Sequence, residues 1–407
     1  RNQNGKLPAA STPIQNKRTP ISTMKKTTNA HKTGRSEFRF YDNRQKYLLF
    51  VNTCSEKWAV AERVGMELSH IHPQPPALRV FDAGMGDGTV LTNVMRQMHR
   101  RFRNLPFHII GKEISLEDVR LSLEKMPDRF HEHAATVLVI TNLYYTEAPW
   151  LTPRSMEAAA ALNWIEVPLA GDSSHEFHEQ INNLQPVLAD GWQVRSSKKT
   201  GNPMYVRPSV LVLYREDHKF LLDQVIPRVG QNKADHDLVI ASQPYRARTP
   251  INFKVEKVIA PLARALAPGG RLLGIHSYGR DPGHEIIQNV WPGEKPFTAN
   301  RHDILKMLKK EIGGSHRDLN FNSYSDKRAV FEYTMHTLPT EVTGASIGTS
   351  TLFAAWNAAI YVAQIDDQRL EEVIQDSSYL DVTRNVLTRH NGLWFNDESY
   401  VVSRKRK

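Results

Sequence analysis

The run Val80-Phe81-Asp82-Ala83-Gly84-Met85-Gly86-Asp87-Gly88-Thr89 constrains the fold of this chain most tightly. It reads as a buried strand that ends on an acid, turns through three alternating glycines and enters a helix. Glycines in such a turn adopt dihedrals closed to other residues and let a ligand approach the backbone, while the amides that open the helix face that ligand. The spacing is informative. A dinucleotide fingerprint, G-x-G-x-x-G, requires glycine at position 89, where this chain has Thr.

Around this turn, strand and helix patterns alternate. Leu78 to Asp82, Phe107 to Gly111, Thr136 to Thr141, Asp237 to Ala241 and Arg271 to Ile275 read as short buried strands. Helices are predicted after Gly88, with Leu91, Val94, Met98 and Phe102 on one face, over Glu117 to Met126, and over Ile251 to Leu266, where Pro261 should impose a kink. The alternation predicts an α/β fold with a parallel sheet covered on both faces. Upstream, Tyr47, Val51, Cys54, Trp58, Ala61, Gly65 and Leu68 recur at helical spacing and predict one amphipathic helix, with Cys54 a small core residue, ended by the prolines of His72 to Pro76.

About 95 residues separate the third and fourth strands, far more than the dozen or so a crossover needs. Residues 143–236 therefore read as an insertion. It holds a helix from Ser174, with Ser173 and Glu176 in capping-box positions and Phe177, Ile181, Leu184 and Leu188 on one face, and a strand-like Val210 to Tyr214. A second added region, 349–390, reads as helical and separates the strand-like Arg328 to Met335 from a terminal strand.

Net charge bears on partners. Of 53 Lys plus Arg against 43 Asp plus Glu, eight cations lie in residues 1–35 with no acid, and four more in Arg404 to Lys407. Removing these twelve leaves 41 cations, so the body is close to neutral and the formal +10 belongs to the two ends. A nucleic-acid or anionic-lipid partner is expected only through those basic tails. Residues 1–36, polar and poor in large apolar side chains, are expected to be disordered. Cys54 as the single cysteine excludes an intrachain disulfide and fits a reducing, cytoplasmic setting, and no run of about 18 apolar residues predicts a membrane span. His175 and His178 stand three apart rather than the four of H-E-x-x-H, so no metal site is expected there.

The acid, the glycine spacing and three further features resemble the class I S-adenosylmethionine-dependent methyltransferases. Asp82 with Gly84, Gly86 and Gly88 matches that family's first motif; Glu113 ends the second strand, where an acid binds ribose hydroxyls; Asn142 follows the third, where a polar group contacts the adenine amine; and Leu266-Ala267-Pro268-Gly269-Gly270-Arg271-Leu272 looks like the turn before strand five. The resemblance implies a Rossmann-like, doubly wound sheet of seven strands, six parallel and the last reversed, and methyl transfer from S-adenosyl-L-methionine. It implies this organisation: a basic tail 1–36, an N-terminal helical segment 37–76, the donor-binding half of the sheet 77–142, the substrate-side insertion 143–236, the second half 237–348, the helical insertion 349–390, the last strand 391–402 and a basic tail 403–407.

The acceptor is less sharply marked. Ser242-Gln243-Pro244-Tyr245 follows strand four, where amine-modifying members place an Asn/Asp/Ser-Pro-Pro-aromatic motif, and Gln243 replaces the first proline. Ser242 and Tyr245 are candidates for recognising a planar nitrogen, or merely line the turn, and His276 at the end of strand five is a candidate general base or a structural histidine. Tyr41 and Tyr47 could fold over the donor. The expected acceptor is a small or medium polar molecule, nitrogen before oxygen, with a nucleic acid and a non-catalytic partner protein as the alternatives.

Overall fold

The computed structural model describes residues 44–406 apart from 199, 200, 338, 344 and 345, so the expectations for the tail 1–36, for Tyr41 and for Lys407 lie outside the described residues. Three strands near the start follow the predicted runs: β1 (Leu78–Asp82), β2 (Phe107–Lys112) and β3 (Thr136–Thr141). Four more follow before the fourth parallel strand: β4 (Asn163–Leu169), the short pair β5 (Val194–Ser196) and β6 (Pro203–Tyr205), and β7 (Ser209–Arg215). The second half supplies β8 (His236–Ser242), β9 (Leu266–Ser277), β10 (Leu319–Asn322), β11 (Val330–Thr334) and β12 (Trp394–Arg404).

Ten of these form one sheet in the order β10-β12-β9-β8-β1-β2-β3-β7-β4, with β11 also on β12. From β3 to β9 the neighbours are parallel, β12 runs antiparallel to β9, and β10 antiparallel to β12. The seven-stranded sheet with a reversed last strand is therefore present, and three strands extend it. On one side β7 pairs antiparallel with β3, and β4 parallel with β7. On the other, β11 pairs with the outer edge of the long β12, beside β10, which is the sixth parallel strand of the seven.

Successive residues of the central strands enter opposite cores, as an alternating pleat requires. Val80, Ile109, Leu138 and Ile240 pack with the helices Glu56–Glu67 and Thr89–Arg101. Phe81, Ile110, Val139 and Val239 pack instead with the helical stretch around Val255 to Leu262 and with Arg301–Ile312. Burial on both faces explains why these strands read as unbroken apolar runs. A third core joins Phe50, Ile287, Tyr333, Trp356, Leu387 and Phe395, where Thr349–Val362 and Ser378–His390 meet the first helix and the β11–β12 edge.

Several predicted elements differ in detail. The single N-terminal helix is two, Arg44–Thr53 and Glu56–Glu67, because Ser55 gives its N–H to the Thr334 carbonyl (2.9 Å) and Cys54 bridges Met335. Pairing with the sheet edge resets the helical phase, so Trp58 is 62% exposed while Cys54 is 2% exposed. Burial pushes the Cys54 thiol up to about 12, which suits a core residue. Pro261 produces not a simple kink but a π-helical stretch, Lys254–Ile259, ahead of Ala260–Arg264. Proline cannot donate to the carbonyl four residues back, and the ladder slips by one residue. The capping box of Ser173 and Glu176 forms, but its helix ends at Asn182 and a second, Gln185–Gly191, starts with Pro186 in its first turn. No helix among the described residues is long and apolar enough to cross a membrane.

Candidate active site

The glycine turn sits at the C-terminal end of β1, and its neighbours explain each glycine. Gly88 is left-handed (φ 78°) and begins the helix Thr89–Arg101; a methyl group there would lie 2.8 Å from Ser122 Oγ and 2.9 Å from Ser122 Cα. Gly86 is also left-handed, and a methyl group on it would meet the Tyr47 hydroxyl at 3.3 Å. Gly84 differs. Its open side faces only the Ser242 carbonyl, at 3.7 Å, so the backbone here is bare toward the end of β8.

Two carboxylates frame the turn. Asp82, 2% exposed, accepts the Gly84 N–H at 3.2 Å. Burial pushes its pKa up to about 7, against the Gly84 N–H and the Lys57 ammonium, which favour the anion, and with Glu113, which opposes it. Glu113 accepts three backbone N–H groups, from Gly86 (2.9 Å), Ile114 (2.8 Å) and Ser115 (2.8 Å). A carboxylate has about four acceptor sites, so one remains for a hydroxyl of a ligand unless a loop bond is shared.

Asn142 stands differently from the expected adenine contact. Its amide donates to the carbonyls of Gly191 (3.0 Å) and Arg207 (2.9 Å), and its carbonyl accepts the Ser209 N–H (2.8 Å). The added β7 occupies the edge beside β3, and Asn142 fastens that junction from a position 1% exposed.

Residues from outside the motifs complete the surroundings of the turn. Asp87 accepts from Thr89 Oγ1 (2.5 Å) and forms an ion pair with Lys125 (3.4 Å). Tyr47 reaches Asp87 with its hydroxyl at 3.5 Å and lies 6.0 Å from the Tyr361 ring. Lys57 stands 5.6 Å over the Tyr47 ring and 3.3 Å from Glu56. Burial disfavours its charge, but Glu56, Tyr47, Tyr361 and Asp87 hold its pKa well above the ordinary lysine value. The helix Thr349–Val362 that carries Tyr361 is fixed over this region, since Asn357 bonds the Lys46 carbonyl (3.0 Å) and Arg248 bonds those of Ala363 (2.7 Å) and Gln364 (2.8 Å). Tyr47 was visible in the sequence as a candidate. Lys57 and Tyr361 carried no local signal, because their relevance depends on how distant helices pack.

The turn after β8 holds the acceptor candidates. The Ser242 hydroxyl makes no hydrogen bond among the described residues, whereas Gln243, left-handed at φ 47°, directs its amide to Ser277 Oγ (3.2 Å) and to both oxygens of Asp397 (3.4 Å). The Pro244 carbonyl accepts from Tyr145 (2.8 Å). Tyr245 and His276 are brought together, with the hydroxyl 2.9 Å from Nδ1, but they face inward. Nε2 of His276 meets Glu398 at 2.8 Å, and Glu398 also receives the Arg301 guanidinium (2.7 Å) and N–H (2.8 Å). With both ring nitrogens engaged and 6% exposure, His276 is held as part of a buried chain, not as a base open to an acceptor.

No family model and no curated protein matches the chain. Solved structures do. Geranyl diphosphate methyltransferase in complex with GPP and sinefungin is 12% identical, with 85% of this chain and 78% of that one covered at a TM-score of 0.30. Loganic acid methyltransferase with SAH is 10% identical over 92% and 98%, also at 0.30. The rRNA methyltransferase aviRa from Streptomyces viridochromogenes is 16% identical over 54% and 74%, at 0.24. The six parallel strands, the reversed β12 and the acid-and-glycine turn closing β1 give this chain the class I methyltransferase fold.

Proposed function

We propose that the protein transfers a methyl group from S-adenosyl-L-methionine to a small or medium polar acceptor, nitrogen before oxygen. The observation that carries this reading is the pairing of two buried carboxylates, Asp82 and Glu113, across a glycine turn whose Gly84 side is open. A Cβ at position 84 would occupy that space, and the residues around it suit the donor's groups. Asp82 would hold an ammonium, Lys57 a carboxylate, and the remaining acceptor site of Glu113 a ribose hydroxyl.

When bound, the donor supplies a methyl group activated by a sulfonium. The chain's task is then alignment, since in-line displacement gains most from proximity. Ser242, whose carbonyl faces Gly84 and whose hydroxyl makes no hydrogen bond among the described residues, would orient the acceptor's lone pair, and the Gln243–Asp397 contact supports the turn that carries it. Asp397 is a fully buried acid whose pKa lies well above the ordinary value through burial and the nearby Glu56 and Asp281. Nitrogen is placed first because Ser242 opens the turn after β8 at the position where amine-modifying methyltransferases recognise a planar nitrogen. Tyr245 and His276 act as positioning residues beneath the turn.

Calorimetric titration with S-adenosylhomocysteine tests the donor half, and absence of binding at millimolar ligand would sink it. Transfer of labelled methyl from the donor to a panel of small amines and small alcohols tests the acceptor half. Faster labelling of the alcohols would reverse the nitrogen preference.

A further inference from the structure

We propose that the protein carries a second binding site, for a small anion, at the N-terminal ends of β1 and β2, away from the glycine turn. A cavity of about 410 Å³ opens there. Arg79 and His108, register partners on adjacent strands, line it from the sheet, and the segment 223–235 lines it from the other side.

His108 points to a ligand. It is 3% exposed, and neither ring nitrogen has a hydrogen-bond partner among the described residues. A neutral imidazole always presents one N–H, and leaving such a donor buried and unmet costs roughly 1–3 kcal/mol. Burial, with His236 and Arg79 close by, lowers the His108 pKa to about 3, so the ring acts as a donor without charge.

Charge comes from the lining. Arg79 pairs with Asp235 (3.2 Å) and Arg228 with Asp223 (3.0 Å), while Lys233 has no ion pair or hydrogen bond among the described residues. The surplus is one positive charge in a pocket with a buried donor and with Gln224 and Gln231 on its wall, while the Asn232 amide is engaged with the Pro149 carbonyl. A group bearing several acceptor oxygens and a negative charge, a phosphate or a carboxylate, satisfies Lys233 and His108 together. The side chains of Arg79 and Asp235, 23% and 40% exposed, leave the mouth open to solvent. Because Arg79 lies three residues before Asp82, on the order of 10 Å along β1, the anion would sit behind the donor turn on the same strand.

The test is histidine-labelled ¹⁵N NMR of the full chain titrated separately with inorganic phosphate and with acetate. A saturable shift of the His108 ring signal is expected with at least one probe, and which one binds distinguishes a phosphate from a carboxylate ligand. Lys233→Gln should weaken that binding roughly tenfold, the loss of one charge-assisted hydrogen bond. Lys327→Gln, at an exposed position outside the cavity, should leave it unchanged. No His108 shift with either probe, or equal weakening by the two lysine variants, would overturn the proposal. Donor binding enters neither measurement, so the site stands or falls apart from the methyltransferase reading.

Discussion

Glu113 Oε2 accepts the Gly86 N–H at 2.9 Å, which ties the end of β2 to the middle of the glycine turn after β1. The same carboxylate accepts the N–H groups of Ile114 and Ser115. It therefore shapes the turn whether or not a ligand is present. Glu113→Gln turns one acceptor into a donor that faces backbone N–H groups. A loss of about 1–3 kcal/mol in urea melts is expected, together with at least a tenfold fall in S-adenosylhomocysteine affinity by calorimetry. Unchanged affinity with lowered stability would restrict Glu113 to shaping the turn.

Two glycines of the turn should respond in opposite ways. Gly88→Ala forces a side chain into a left-handed residue and against the Ser122 backbone at 2.9 Å. A cost of about 1–3 kcal/mol is expected. Gly84→Ala meets nothing nearer than the Ser242 carbonyl at 3.7 Å, so its melting should stay within about 0.5 kcal/mol of the parent. Its donor-product affinity should nevertheless fall, because the new methyl occupies the bare side of the turn. Thermal melts and calorimetry on the two variants separate a fold requirement from a ligand requirement.

The contrast between these glycines also marks how far the sequence is legible. Local chemistry was readable: the strand into Asp82, the turn, the helix from Thr89 and the capping box at Ser173 all follow from neighbouring residues. What depended on distant partners was not. The break at Cys54 needed β11, some 280 residues later, and the commitment of Asn142 to Ser209 needed a strand inserted at the sheet edge. Glu398 engages His276 across 122 positions and is itself held by Arg301 across 97. Lys57 sits on a helix whose pattern suggested only packing, and its role follows from the carboxylates and rings that the fold gathers around it.

Asp82 predicts a pH dependence whose sign is fixed by burial. Its folded pKa of about 7 lies above the ordinary carboxylate value, so between about pH 4 and pH 7 the folded chain keeps a proton that the unfolded chain has released. This group's contribution to stability is complete at low pH and is lost as pH rises through that window. Asp82→Asn should therefore gain stability relative to the parent between about pH 5 and pH 8. An ammonium bound against Asp82 favours the anion, so donor-product affinity should rise from about pH 6 to about pH 8 with release of a proton. Calorimetry in buffers of different ionisation enthalpy reads that proton directly, and its persistence in Asp82→Asn would assign it elsewhere.

Beneath the turn after β8, the chain Tyr245, His276, Glu398 and Arg301 predicts effects graded by charge. Glu398→Ala takes from the Arg301 guanidinium, 2% exposed, its buried carboxylate partner, leaving Asp326 and the Tyr324 carbonyl, and from His276 its Nε2 partner, so a loss of about 3 kcal/mol is expected. Tyr245→Phe removes the hydroxyl that bonds His276 (2.9 Å) and Tyr400 (3.3 Å) and should cost less, about 1–2 kcal/mol. If His276 worked as a general base, loss of its Tyr245 bond would move the pH profile of the methyl-transfer rate. Because both ring nitrogens are held inside the protein, the profile should keep its shape in Tyr245→Phe, with any change confined to KM through a loosened turn. A displaced pH midpoint in that variant would return His276 to the chemistry.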